Sequence, residues 1–351
     1  MDIKKIDKNM AVEGSIDKSG FDFYNIDDEP FRIYGIYRDG DEYRRMPESV
    51  ASEVSESVGL LSRFTAGGRV RFVTDSLRLA FLVRHSCNPP TDNGNFINRA
   101  GFDIYADGEY AATVRPGSDF SSNYYEFIPK NIVGERRERV ITVNFPNYGG
   151  VNEVYVGITH GSVLKPAPDY KYEKPIVYYG SSITQGGCAS RPGLAYEGII
   201  SRMLDTNYLN LGFSGNAKAE KRIAEYISEL DMSVFVYDYD YNAPDVEWLK
   251  NTHAHMFRII REKNPTLPIV MISRPQPIVD GNVLQRIEVI KETYSEALED
   301  GDENVYFIDG SKLLYGVGKE GLVDGVHPND LGFVYMANGI APLLKEILEK
   351  N

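Results

Sequence analysis

Between residues 69 and 85 apolar side chains recur at Val70, Phe72, Leu77, Leu79, Phe81 and Val83, the alternation expected of strands with one buried face. Similar short runs at 140–145 and 154–158 predict further strands. Over 102–111, Asp107-Gly108 separates two alternating arms, and this pair readily adopts the positive φ values of a tight hairpin turn. Before residue 165 a helical period is confined to a short stretch around 48–61. The pattern predicts a mostly β first domain, a sandwich rather than a closed barrel.

The texture changes once, at Pro166-Ala167-Pro168-Asp169-Tyr170. Beyond it, apolar runs at 176–179, 208–211, 234–237, 269–272 and 305–308 alternate with helix-length segments at 195–204, 217–230, 246–262, 283–298 and 331–348. Short apolar strands separated by helices predict a doubly wound, flavodoxin-like α/β sheet with helices on both faces. The expected division is a sandwich-like or jelly-roll-like accessory domain over 1–165 and an α/β domain over 170–351. No internal repeat or low-complexity tract is evident.

Ligands of such sheets sit beyond the carboxyl ends of the strands. Ser182 follows the first strand in Tyr179-Gly180-Ser181-Ser182-Ile183-Thr184-Gln185-Gly186-Gly187, and Gly212-Phe213-Ser214-Gly215-Asn216 follows the second. Asp238 to Asn242 follow the third, Arg274 the fourth, and Asp324 with His327 the fifth, so all fall on one rim. A serine hydroxyl attacks only if a base removes its proton, and imidazole, with an ordinary pKa of about 6.5, is suited to take and return it. His327 is the candidate base, and Asp324 either orients its ring or caps the helix that begins near Asn329. The amides of Ser182 and Gly215 and the Asn242 side chain are the candidate oxyanion donors, each typically worth about 10²- to 10³-fold in rate. Arg191, Arg274 and Asp240 are candidates for substrate contact.

Other groups point to simpler roles. Asp238 and Asp240 lack further ligands, so no metal is expected, nor any other cofactor. His253 and His255, two apart on a predicted helix, cannot share a face and read as solvated surface. The glycine-rich loop has neither Gly-x-Gly-x-x-Gly spacing nor a lysine, which argues against a nucleotide.

These residues resemble the SGNH or GDSL hydrolase family, whose blocks occur in the same order. Gly180-Ser181-Ser182-Ile183 matches the first block, with Ser181 at the usual aspartate position; Gly215 matches the second, Asn242 the third, and Asp324 with His327 the last. Asp240 stands where the third block usually has glycine, and Ala243 where it usually has aspartate. The resemblance spans about residues 175 to 350. Together with Gly101-Phe102-Asp103-Ile104-Tyr105, it is similar to a bacterial branch carrying a β-rich domain ahead of the hydrolase. It implies a serine esterase working through an acyl-enzyme, removing a small acyl group such as acetyl from a carbohydrate. An acyltransferase or a lipase-like esterase on another substrate is the alternative, and a non-catalytic sugar-binding protein is a reading of a different class.

Composition adds bounds. With 51 acidic against 38 basic residues, the net charge of -13 disfavours nucleic acid and anionic membrane as partners. A small-molecule or oligosaccharide ester is the expected partner, and a homo-oligomer remains open. Met1 to Lys8 carries lysines without an apolar run behind them, and the sequence shows no continuous apolar stretch of about 20 residues. Cys87 and Cys188, in different predicted domains, suggest no disulfide framework. The expectation is a cytoplasmic protein. The short proline-rich joint predicts a fixed arrangement in which the first domain shapes the mouth of the site, with Asp103 and Tyr105 as a candidate contact.

Overall fold

The structure is a computed structural model that describes residues 18–87, 95–115, 124–131 and 134–350. Met1 to Lys8 and the side chain of Cys87, both weighed above, lie outside the described residues.

The first domain is a sandwich of two antiparallel sheets. One has the strand order Phe21–Asn25, Gly150–Thr159, Arg78–Cys87, Tyr124–Asn131. The other runs Leu164–Lys165, Arg69–Thr74, Arg139–Asn144, Phe102–Ala106, Glu109–Val114, with Arg32–Tyr34 also paired to Arg69–Thr74. Val70, Phe72, Ile104 and Ile141 of the second sheet meet Phe81, Val83, Val154 and Val156 of the first in one apolar core. The alternation over 69–85 is therefore two strands, one in each sheet. Asp107 and Gly108 have φ of 52° and 84° in the hairpin turn. The helical stretch is two helices, Glu48–Val54 and Glu56–Leu61. Ser55 divides them: its extended backbone ends the first, and its hydroxyl accepts from Val58 N at 3.1 Å to start the second.

The second domain holds β1 (Tyr172–Gly180), α1 (Tyr196–Leu204), β2 (Thr206–Gly212), α2 (Lys221–Ser228), β3 (Val234–Asp238), α3 (Val246–Lys263), β4 (Ile269–Ile272), α4 (Gly281–Glu299), β5 (Val305–Ile308) and α5 (Asp330–Lys350). All five strands are parallel, in the order β2-β1-β3-β4-β5. Alternate strand residues face opposite layers. Val177, Tyr179, Phe235 and Met271 pack with α2, α3 and α4, whereas Ile176, Tyr178, Val236 and Ile272 pack with α1 and α5. This is the three-layer arrangement, with the strand order reversing between β1 and β3. By length and composition α5 could cross a bilayer, but here Phe333, Met336, Ile340 and Leu344 build the sheet core.

His253 departs from the surface reading. It is 2% exposed, stacks on Tyr237 at 4.5 Å between centroids, and bonds Thr293 Oγ1 at 2.9 Å. Burial pushes its pKa down to about 3, so it serves as a neutral core side chain.

The domains share a core. Met46, Ala51 and Val58 of the first domain join the apolar cluster containing α2 and α3. Strand β2 lies at the edge of its sheet, and the first domain covers that edge with two arginines. Arg45 Nη1 donates to the carbonyls of Asn210 (3.0 Å) and Gly212 (2.7 Å), while Arg69 Nη1 reaches Tyr208 O at 3.2 Å.

Candidate active site

Gly180 ends β1 where the chain must turn hard against β3: a Cβ there would stand 2.1 Å from Thr184 Oγ1 and 2.6 Å from Asp238 O. Only glycine fits. The turn carries Ser182 onto the rim, and its carbonyl accepts from Gly187 N at 2.7 Å and from the Tyr148 hydroxyl of the first domain at 3.2 Å. Ser182 Oγ lies 2.8 Å from His327 Nε2, and His327 Nδ1 lies 2.7 Å from Asp324 Oδ2. Asp324 Oδ1 also accepts from Val326 N (3.0 Å) and His327 N (2.8 Å).

One carboxylate thus shapes the turn and sets the tautomer: Nδ1–H donates to Asp324, leaving Nε2 to receive the serine proton. Partial desolvation opposes the Asp324 charge, but the His327 amide and ring and the Val326 amide outweigh it and hold the pKa at about 2. Asp324 is therefore ionised throughout the neutral range. The two readings of Asp324 separate here. Asn329 accepts from Gly332 N at 3.0 Å at the start of α5, leaving Asp324 to the histidine.

The oxyanion candidates converge on the same loops. Gly215 has φ 71° with open space beside its Cα, and among the described residues neither Ser182 N nor Gly215 N donates to a protein acceptor. Asn242 closes a 3-10 turn, Asp240–Asn242, and its Oδ1 accepts from Ala217 N at 3.1 Å. That bond fixes the amide and leaves Nδ2 to donate. Asp245, accepting from Trp248 N at 2.7 Å, caps α3, so Asn242 is not the cap. Asn242→Ala is expected to lower kcat on a short aryl ester by about 10²- to 10³-fold with little change in KM. A loss confined to KM would remove it from this role.

The three candidates for substrate contact each have a partner within the protein. The Asp240 side chain has no exposure and bonds Arg274 Nη2 (3.0 Å) and Arg286 Nη1 (3.1 Å), knitting the end of β3 to β4 and α4. Arg274 donates to Asp240 from Nε and Nη2 and lies 4.4 Å from the centroid of the Tyr241 ring. Arg191 crosses to the first domain, where Nη1 meets Asp103 Oδ2 at 2.8 Å and the Tyr105 hydroxyl. Asp103 also accepts from Gly193 N (3.0 Å) and Asn144 Nδ2 (2.9 Å), making Gly101-Phe102-Asp103-Ile104-Tyr105 a latch on the segment that follows the serine loop. Asp238, the other acidic residue at this strand end, is buried, and among the described residues neither carboxyl oxygen has a hydrogen-bond partner. Burial foremost, then the charge of Asp240, raises its pKa well above the usual carboxylate range.

The residues missed in the sequence come mostly from the first domain. Asn98 Nδ2 donates to Gly186 O (2.9 Å), and Asn147 O accepts from Gln185 Nε2 (3.1 Å), so with Tyr148 they clamp the serine loop. Gln185 Oε1 in turn accepts from Ser214 N at 2.9 Å, joining that loop to the Gly215 loop. Asn98 lies in a five-residue helix, Phe96–Ala100, and Asn147 and Tyr148 on a loop, and none of them belongs to a period that would mark it. Cys188, at φ 70°, is a further surprise: its Sγ, an Asp324 oxygen and a His327 ring nitrogen lie within 4.8 Å of one another. Burial, then the Asp324 charge, pushes the thiol up to about 11. Iodoacetamide should therefore alkylate Cys188 slowly at pH 7 and faster as pH approaches about 11, because the thiolate is the reactive form. Fast labelling at pH 7, followed by mass spectrometry, would contradict this.

Residues 173–345 match the GDSL-like lipase/acylhydrolase family model, and residues 21–164 match the model for the N-terminus of SGNH-hydrolase-type esterases. Among solved structures, a GDSL-like lipase from Bacteroides ovatus ATCC 8483 superposes with TM-score 0.83 at 27% identity, covering 94% of this chain and 98% of that one. The salicylyl-acyltransferase SsfX3 of a tetracycline biosynthetic pathway gives 0.73 at 20% identity, covering 92% and 97%. A family two carbohydrate esterase from Cellvibrio japonicus gives 0.64 at 13%, covering 94% and 98%. No curated protein matches the chain in sequence. Two family models that together run across both domains, and a structural likeness extending over nearly the whole chain, agree with the site geometry: the chain belongs to the GDSL-like, SGNH-type carboxylic ester hydrolases, with their N-terminal esterase domain ahead of the hydrolase.

Proposed function

We propose that this protein hydrolyses short-chain acyl esters, acetyl foremost, carried on carbohydrates, through an acyl-enzyme on Ser182. The observation that carries the reading is the chain of contacts from Ser182 Oγ to His327 Nε2 (2.8 Å) and from His327 Nδ1 to Asp324 (2.7 Å). Ser182 Oγ attacks the ester carbonyl as His327 takes its proton, and the amides of Ser182 and Gly215 with Asn242 Nδ2 hold the oxyanion. His327 returns the proton to the departing alcohol, then activates water to release the acid.

A small acyl group suits the crowding around the serine. A Cβ at Gly187 would stand 2.8 Å from the Tyr148 hydroxyl and 3.4 Å from His327 Cδ2, which leaves little room for a long chain on that side. A carbohydrate is favoured by the two-domain layout shared with family two carbohydrate esterases. Transfer of the acyl group to another alcohol is the second reading. It draws on the exposed apolar side chains Ile278, Val279, Val323 and Val326, on loops after β4 and β5, where an aromatic or aliphatic acceptor could lie. Nucleic acid and membrane are not among the proposed partners.

The test is a hydrolysis screen of aryl esters of increasing acyl length beside acetylated sugars, with and without added alcohols. Highest kcat/KM on acetyl esters and acetylated sugars supports the proposal. A preference for long chains would overturn the short-acyl assignment, and product partition toward the added alcohol would select the transferase.

A further inference from the structure

A second cleft, of about 420 Å³, opens between the two domains at the far end of β2. Its walls include Arg69, Arg71 and Arg202 with the rings of Tyr105, Tyr170 and Tyr208. Tyr208 and Asp205 stand at the start of β2 and Gly215 beyond its end, so a strand length of about 20 Å separates this cleft from the oxyanion loop.

The charges here do not balance. Arg71 is only 6% exposed, and among the described residues its buried Nε and Nη1 have no hydrogen-bond acceptor. Its guanidinium carbon lies over the Tyr170 ring, 4.0 Å from the centroid. Arg202 lies 4.1 Å from the centroid of Tyr105 and, among the described residues, forms no ion pair. Arg69 is by contrast satisfied by Tyr170, Gly67, Tyr208 and Asn207. Two carboxylates line the cleft against three arginines: Asp107 pairs with Arg137 at 2.7 Å, and Asp205 Oδ2 accepts from the Lys171 backbone amide at 3.1 Å. A buried guanidinium with unmade hydrogen bonds is costly, and a protein of net charge -13 has carboxylates to spare that could have been placed here. The cleft has the size of a small-ligand site, guanidinium groups among its walls suit an oxyanion, and its tyrosine faces suit a ring.

We infer that this interdomain cleft binds a small oxyanion-bearing molecule, a phosphate or carboxylate joined to a ring, with Arg71 and Arg202 as its anion contacts. Nothing in the ester-cleaving step uses these residues, so the site is distinct from the one at Ser182. The two do share an element: Tyr105 lies against Arg202 in the cleft and bonds Arg191 in the latch.

The test is thermal unfolding of the full chain in inorganic phosphate, glucose 1-phosphate, glucuronate or glucose, at constant ionic strength set with chloride. Binding to the folded state alone raises Tm, by several degrees near a hundredfold excess over Kd. Arg71→Gln and Arg202→Gln should each remove most of the anion-dependent rise while keeping a cooperative transition in chloride. Their relative response to glucose 1-phosphate and glucuronate distinguishes phosphate from carboxylate, and glucose alone should do nothing. If Arg71→Gln does not fold, Arg202→Gln carries the test. No rise with any anion, a rise equal in wild type and variants, or a rise with glucose as large as with the anions would overturn the inference.

Discussion

Ser182→Ala is expected to lower kcat on a short aryl acetate by at least about 10⁴-fold while the protein stays folded. The substitution removes one oxygen whose partner is the His327 ring and leaves the carbonyl that anchors the loop to Gly187 and Tyr148. Since the two side chains act as one unit, His327→Ala should cost a similar factor, and the double variant little more than either alone. Kinetics alongside circular dichroism would check this. Near-wild-type turnover by folded Ser182→Ala would remove the proposed mechanism altogether.

Asp103→Ala should be the most damaging change to stability among the groups joining the domains. The carboxylate is fully buried and accepts from Arg191, Gly193 N and Asn144 at once. Without it, Arg191, with 18% of its side chain exposed, loses its counter-charge and two buried donors lose their acceptor. Breaking a buried pair by deleting one partner typically costs about 3–5 kcal/mol. Adding Arg191→Met should recover part of that loss, since no unpaired charge then remains. The segment it holds follows directly from the serine loop, so kcat should fall as well. Unfolding midpoints of the three variants measure the effect; an Asp103→Ala midpoint within a degree or so of wild type would show that the latch is dispensable.

The hydrolase domain was largely legible because its strands carry short, mostly apolar runs regularly spaced by helices. Strand 269–272 coincides with its apolar run, since a strand buried on both faces has no polar position to blur its limits; 305–308, half-buried at the sheet edge, coincides with its run as well. Order along the chain also put Ser182, Gly215, Asn242 and His327 on one rim, because parallel strands all end on the same side. The sandwich was harder to read. Over 69–85 the alternation runs through a sharp crossing between sheets, and a period of two marks a buried face without saying which sheet owns it.

Charged and polar side chains were read least well, for a physical reason. Arg191, Arg274 and Asp240 stand where substrate contacts would be expected, yet each is taken up by a partner 34 or more residues away. His253 looked solvated by its neighbours on the helix, but its environment is set by Tyr237 and Thr293 on other elements.

The sequence by itself determined the two-domain order, the parallel sheet and the placing of a serine, a histidine and an aspartate at strand ends, since these depend on local periodicity and turn chemistry. Only the tertiary structure decided which carboxylate meets which cation, that Asp324 serves His327 while Asn329 starts α5, and that Asn98, Asn147 and Tyr148 of the first domain clamp the serine loop. Such contacts join residues far apart in the chain, and a hydrogen bond is fixed by distances of a few tenths of an ångström that no local pattern encodes.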